Sequence, residues 1–207
     1  MALYKNLTKA FENKEDVTSL KLNIKSTNLP EEITAFINLE SLYIQSKTIE
    51  SIPDWVKELT NLRLLYLNSS SLNSVNSELF KLPKLEVLNL SQGRISNLIF
   101  PIEVSSSLKD LNLSKNLLTS IPKNIEACQG LESLNLAGNT IIEISSNLFS
   151  LDKLKRLNLD QNQLTKLPDE LKEMSSLNIL SIDQNSFSDE EKNRIEKEFC
   201  ISFTPIT

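Results

Sequence analysis

The chain has 207 residues, 40% hydrophobic and 24% charged, the balance of an ordinary soluble domain with a sizeable core. It holds 37 leucines, 3 glycines and no histidine, which removes imidazole metal ligands, HExxH motifs and Ser-His-Asp or Cys-His nucleophile pairs. A net charge of -5 opposes binding to nucleic acid, and no apolar run is long enough to span a bilayer.

In chain order, Leu3, Leu7, Ala10 and Phe11 lie at helical spacing on one face, and Asn13 can end that helix, so residues 1–16 are predicted to form a helical N-terminal cap. A first apolar unit runs Val17, Leu20, Leu22, Leu29, Ile33 and Phe36, reaching Leu39 after 22 residues. Leu39, Leu62, Leu85, Leu108, Leu131, Leu154 and Leu177 then follow at equal intervals of 23. With the first residue of a unit counted as offset 1, apolar residues recur at offsets 1, 4, 6, 11, 14, 18 and usually 21. The unit Leu154, Leu157, Leu159, Leu164, Leu167, Leu171, Met174 shows them all. Offsets 4 and 6 have period two and predict a short strand facing the core, and the later residues form the return path. An incomplete unit, Leu177, Leu180, Ile182, Asn185 and Phe187, closes the array, which occupies 17–187 with units starting at 17, 39, 62, 85, 108, 131, 154 and 177. Ser188-Asp189-Glu190-Glu191 is a capping-box signature ahead of Ile195 and Phe199, so 188–207 reads as a helical C-terminal cap and tail. Its acidic run serves the helix dipole rather than paired-carboxylate catalysis. Two capped ends lead to the expectation of a complete repeat domain. Cys128 and Cys200 stand three units apart, beyond the roughly 7 Å reach of a bridge at about 4.8 Å per unit, so both thiols are expected to be free.

Segments such as Leu111-Asn112-Leu113-Ser114-Lys115-Asn116-Leu117-Leu118-Thr119-Ser120-Ile121-Pro122 follow LxLxxNxLxxLP and resemble the leucine-rich repeat family across most of the chain. The resemblance implies an α/β fold: a right-handed solenoid, or horseshoe, with a parallel β-sheet on its concave side. It also implies an inward asparagine at offset 9, filled by Asn116, Asn139, Asn162 and Asn185, a structural ladder serving backbone groups at the bend. Lys47, Ser70 and Gly93 hold that place in earlier units, where weaker local hydrogen bonding is expected. The stretch Tyr4 to Phe11 before Val17-Thr18-Ser19-Leu20, Leu29-Pro30 with Ile33, and the ending Ser188 to Lys192 resemble exported leucine-rich repeat proteins of pathogenic spirochaetes. That implies a bacterial protein at the cell surface or secreted, contacting the host, if an export signal has been removed. Otherwise it implies a cytoplasmic one.

On a strand whose offsets 4 and 6 face inward, offset 5 faces outward onto the concave sheet, flanked by 3 and 7. Offset 5 holds Lys21, Tyr43, Tyr66, Asn89, Asn112, Asn135, Asn158 and Ser181, and Leu64 and Val87 at offset 3 extend the tyrosines into an aromatic-aliphatic patch. Exposed tyrosine beside apolar neighbours suits a protein-binding hot spot, while cross-strand packing alone also accommodates it. The run from Asn89 to Asn158 offers stacked amides for a peptide backbone or for sugar hydroxyls. Asp160 and Asp183, at offset 7 of adjacent units, are a weak candidate pair for a hard cation, although mutual solvation of surface carboxylates is commoner. Trp55 lies on the convex side. The expectation is a non-enzymatic protein-interaction module without cofactor, metal or nucleic acid, its protein partner taken by the concave face. A carbohydrate or glycosaminoglycan binder and an intracellular scaffold stand as alternatives.

Overall fold

Every unit forms a strand at the predicted place, reaching past offset 6 in the early units and ending at offset 5 in the later ones, and the strands stack in chain order in a computed structural model that describes residues 3–201. They are β1 (Leu3–Tyr4), β2 (Ser19–Ile24), β3 (Ser41–Ser46), β4 (Leu64–Ser69), β5 (Val87–Asn89), β6 (Asp110–Asn112), β7 (Ser133–Asn135), β8 (Arg156–Asn158) and β9 (Ile179–Ser181). All neighbours pair in parallel, giving one nine-stranded sheet. Registered pairing aligns Leu20, Leu42, Leu65, Leu88, Leu111, Leu134, Leu157 and Leu180 in a single column. All but Leu180, at the sheet's end, are buried. Because one unit covers little apolar surface alone, this unit-on-unit stacking is what closes the core of a right-handed solenoid with the sheet on its concave side.

The return paths run mostly through short 3-10 turns, among them Glu31–Ala35, Asp54–Glu58, Ser77–Lys81, Ser146–Ser150 and Asp169–Glu173. The unit starting at Leu85 departs from this. Its return segment is extended: the Phe100 N–H donates to the Lys123 carbonyl, and the Lys123 N–H to that of Leu98, both at 3.0 Å. Phe100 is buried and meets Phe80 edge-on at 4.6 Å, whereas Ile102, at the otherwise buried offset 18, is 90% exposed. An extended backbone brings offsets 14 and 16 to the same side, so the phenyl ring takes the core place that offset 18 fills elsewhere.

The early units are not short of hydrogen bonds. Strands β2 to β4 run six residues each and pair over their full length, against three residues in β5 to β9. Ser46 and Ser69 at offset 8 are buried there: the Ser46 hydroxyl accepts from the Thr48 and Ile49 N–H groups, and Ser69 donates to the Ile49 carbonyl at 2.7 Å. From the next unit onward offset 8 is left-handed, with φ of +64° at Gln92, +55° at Lys115, +67° at Gly138 and +56° at Gln161 and Gln184. A left-handed residue cannot continue a pleated strand, so none of the later strands reaches offset 8 as β3 and β4 do.

The N-terminal cap differs from expectation. Leu3 and Tyr4 form a strand paired with Ser19 and Leu20, Leu3 is half-exposed, and helix α1 spans only Leu7–Phe11. Asn6 caps it by accepting the Lys9 N–H at 2.8 Å, which fixes the helix start and leaves the preceding residues free to pair with β2. A 3-10 turn at Lys14–Asp16 follows, with Glu12 rather than Asn13 closing the helix. At the other end α2 (Asp189–Phe199) is capped by Ser188, whose hydroxyl accepts the Glu191 N–H at 3.1 Å. The reciprocal half of the capping box is redirected. Glu191 accepts the Leu167 N–H at 2.8 Å and pairs with Arg194 at 2.6 Å, so the helix is fastened to the preceding repeat. Arg194 also meets Asp169 at 2.8 Å and Glu198 at 3.1 Å. Met1, Ala2 and the tail 202–207 lie outside the described residues.

Candidate binding face

The concave sheet presents its two ends differently. Tyr43 on β3 and Tyr66 on β4 stack across strands, ring centroids 5.1 Å apart and planes 18° from parallel. Parallel pairing opposes identical offsets, so two tyrosines 23 residues apart must meet. Stacking covers one face of each ring, and Tyr66 still remains 37% exposed, with Leu64 and Val87 half-buried beside it. Tyr66 forms the wall between two shallow depressions. One, of about 290 Å³, is lined by Tyr66, Val87, Asn89, Asp110, Asn112 and Asn135. The other, of about 300 Å³, is lined by Lys21, Tyr43, Gln45, Tyr66, Asn68 and Asn89.

The asparagine column is less versatile than its composition suggests. Asn89, Asn112, Asn135 and Asn158 each fold the carboxamide oxygen onto their own backbone, accepting the N–H of Ser91, Ser114, Ala137 and Asp160 at 2.9–3.0 Å. A main-chain N–H can only donate, so the atom facing it is Oδ1 and the end left for a ligand is the donor Nδ2. The second asparagine series points inward. Asn116, Asn139, Asn162 and Asn185 each donate to the offset-6 carbonyl of their own unit and of the unit before, and accept the preceding unit's offset-11 N–H. For Asn139 these partners are Leu136 at 2.8 Å, Leu113 at 3.1 Å and the Leu118 N–H at 3.0 Å.

Asp160 is engaged within the protein: Ser181 donates to both of its oxygens at 2.7 and 2.8 Å, and the Asp183 N–H donates to one at 2.7 Å. Among the described residues no group of three or more acidic, cysteine or histidine side chains converges as metal ligands would. Cys128 and Cys200 are free, and burial, with Glu126 adding to it, pushes the Cys128 thiol up to about 12. Trp55 is half-buried against the core. A feature missed by reading single columns is the ion pair of Arg156 with Asp110, 3.2 Å apart across β7. Both lie at offset 3, two units apart, with small Ser133 between them, and that spacing is the signal that could have found it.

The sequence matches the family description "Leucine rich repeat" over residues 37–98 and 129–187, and again over 107–128. The chain belongs to the leucine-rich repeat family. Proteins of this family are generally binding modules rather than enzymes. Among curated proteins no sequence matches this leucine-rich repeat chain. Of solved structures, a leucine-rich repeat protein of Leptospira interrogans is 26% identical with a TM-score of 0.61, covering 90% of this chain and 60% of that one. The ectodomain of the Arabidopsis thaliana receptor kinase HAESA, solved with a peptide hormone ligand, is 27% identical with a TM-score of 0.65, covering 85% and 31%. That of the Arabidopsis receptor kinase GASSHO1/SCHENGEN3 shares the fold at 22% identity and a TM-score of 0.64, covering 89% and 26%. This leucine-rich repeat chain thus spans three fifths of the spirochaete protein and less than a third of either plant ectodomain. Among its described residues no helix is long and apolar enough to cross a membrane.

Proposed function

We propose that the chain is a non-catalytic module that takes a protein ligand on its concave sheet, with Tyr43, Leu64, Tyr66 and Val87 as anchors and Asn89, Asn112, Asn135 and Asn158 as a polar floor. The observation that carries this reading is the stacked, partly exposed tyrosine pair standing between two depressions. Mutual stacking immobilises both rings before a ligand arrives, so binding to them loses little side-chain entropy. The HAESA ectodomain, with its peptide ligand, supports a polypeptide as the ligand class. An exported, surface or secreted protein that meets host molecules is the setting implied by the resemblance of the cap segments, and likeness to the Leptospira interrogans protein is compatible with it. The carbohydrate alternative draws less support, because four carboxamide oxygens on this face are already bonded to backbone.

The test is capture of extracellular host proteins on the immobilised chain, followed by calorimetric titration of whatever is retained. Tyr43→Ala or Tyr66→Ala is expected to weaken binding by more than about 1 kcal/mol with little change in melting temperature, and Asn158→Ala to have a smaller effect. A partner insensitive to both tyrosines but lost with Asn158→Ala would move the hot spot to the other end of the sheet. One insensitive to all three would move it to the convex side around Trp55.

A further inference from the structure

We propose that Asp110 is the recognition point for a basic side chain of the ligand, and that Arg156 is a displaceable stand-in for it; this rests on the concave-face reading above. At offsets 3 and 5 the charged residues are Lys21, Asp110 and Arg156 alone. Asp110 is therefore the one carboxylate among the residues lining the depression beside Tyr66. The protein already places a guanidinium on it. That contact is a single Nη2 to Oδ1 approach of 3.2 Å with both side chains about half-exposed, at 50% and 42%. An ion pair this open contributes little, and one contact in place of a two-pronged fork leaves Oδ2 for a better-aligned cation.

The surroundings fit the same ligand chemistry. Asn89, Asn112 and Asn135 in this depression present donors, because their oxygens face backbone N–H groups. Their Nδ2 groups can serve peptide carbonyls, while their neutral oxygens, each already taking one backbone N–H, compete poorly with the Asp110 carboxylate for an ammonium or guanidinium group. The Tyr66 ring offers an aromatic face to the aliphatic and cationic parts of a lysine or arginine. An extended peptide with a basic residue flanked by free carbonyls matches all three elements, and a chain of net charge -5 favours its approach.

The probe is a random linear peptide library displayed on phage, panned against the wild-type chain, with recovered peptides synthesised and titrated by fluorescence anisotropy. Lysine or arginine is expected to be enriched over the starting library. Asp110→Asn should weaken those peptides about tenfold, equivalent to about 1.4 kcal/mol. Arg156→Gln should tighten them by about threefold, since an internal competitor lowers the fraction of competent sites; a merely structural ion pair would give the opposite sign. Absence of basic enrichment, indifference to Asp110→Asn, or unchanged or weaker binding with Arg156→Gln would overturn the proposal. Peptides lost with Tyr66→Ala but indifferent to Asp110→Asn would remove this assignment and leave the concave-face reading standing. Peptides indifferent to both, and to Asn158→Ala as well, would remove both.

Discussion

Truncating Phe100 and Ile102 separately discriminates between the regular repeat pattern and the observed return segment. The repeat pattern puts Ile102 at offset 18 inside, and the structure puts Phe100 there instead, 1% exposed against 90% for Ile102. Phe100→Ala removes a fully buried ring and leaves a cavity, a change that costs about 3 to 5 kcal/mol. Part of that loss is the edge-on contact with Phe80 at 4.6 Å, a geometry that adds about 0.5 to 1.5 kcal/mol beyond area burial. Ile102→Ala removes atoms already in water and should change stability by no more than about 0.5 kcal/mol. Urea unfolding followed by circular dichroism separates the two: at about 1 to 3 kcal/mol per molar, the Phe100 variant's midpoint should fall by about 1 M or more while that of Ile102 holds. The slopes must be compared as well, since stacked repeats can lose cooperativity when one unit is weakened. An equal or larger loss for Ile102→Ala would refute the extended return segment.

Asn139→Ala leaves the buried Leu118 N–H without its partner and takes one of two amide donors from each of the Leu113 and Leu136 carbonyls, which keep Asn116 and Asn162, so it should cost about 1 to 3 kcal/mol in the same melts, while Ser70→Ala, on an exposed side chain, stays within error. Cys200 should react with a disulfide reagent in the native chain near neutral pH, and Cys128, buried and held as a thiol, only after denaturant is added. The Arg194 guanidinium beside Glu191 holds its carboxyl below the usual range, so in the native state this group binds fewer protons than in the unfolded chain. Its stabilisation is therefore present above the ordinary glutamate range near 4.5 and is lost as pH falls through the lower native value. Amide protection in α2, taken relative to the intrinsic exchange rate at each pH, should fall in that acid window, and Glu191→Gln should flatten its pH dependence. Protection in α2 that does not change with acid would count against the fastening of this helix to Leu167.

The solenoid was legible in sequence because strand and core share one spacing: residues 23 apart face one another, so inward leucines at offsets 4 and 6 settle register and sheet together. What escaped depends on choices local to one unit. Ile102 satisfies the repeat but loses its place to Phe100, a competition of volume and backbone path that an apolar pattern does not rank. Leu3 joins a helical pattern on paper, yet Asn6 starts the helix later and Leu3 pairs as a strand. At offset 9 the absence of asparagine suggested a deficit, while the compensation sat one residue earlier, in Ser46 and Ser69. On the concave face a column of side chains could be read, but not the state of each. That Asn112 turns its oxygen to its own backbone, and that Arg156 reaches over Ser133 to Asp110, are conformational outcomes with no trace in composition.

The inward amides have a consequence for how such a chain can change length. Each of the three partners of Asn139 is a main-chain atom at a fixed place in its own unit or the one before, and none depends on which side chain that neighbour carries. Excising residues 131–153 would bring Asn162 to the Leu113 carbonyl and the Leu118 N–H, the groups Asn139 serves now, with no pair to be rematched. Splicing in another copy is equally permissive, so the C-terminal side can be edited in quanta of 23 residues. The same freedom stops at Gly93. A Cβ there would lie 2.8 Å from the Asn116 Oδ1 and 2.9 Å from the Leu72 carbonyl, so the unit preceding the first ladder amide must keep a residue without a side chain.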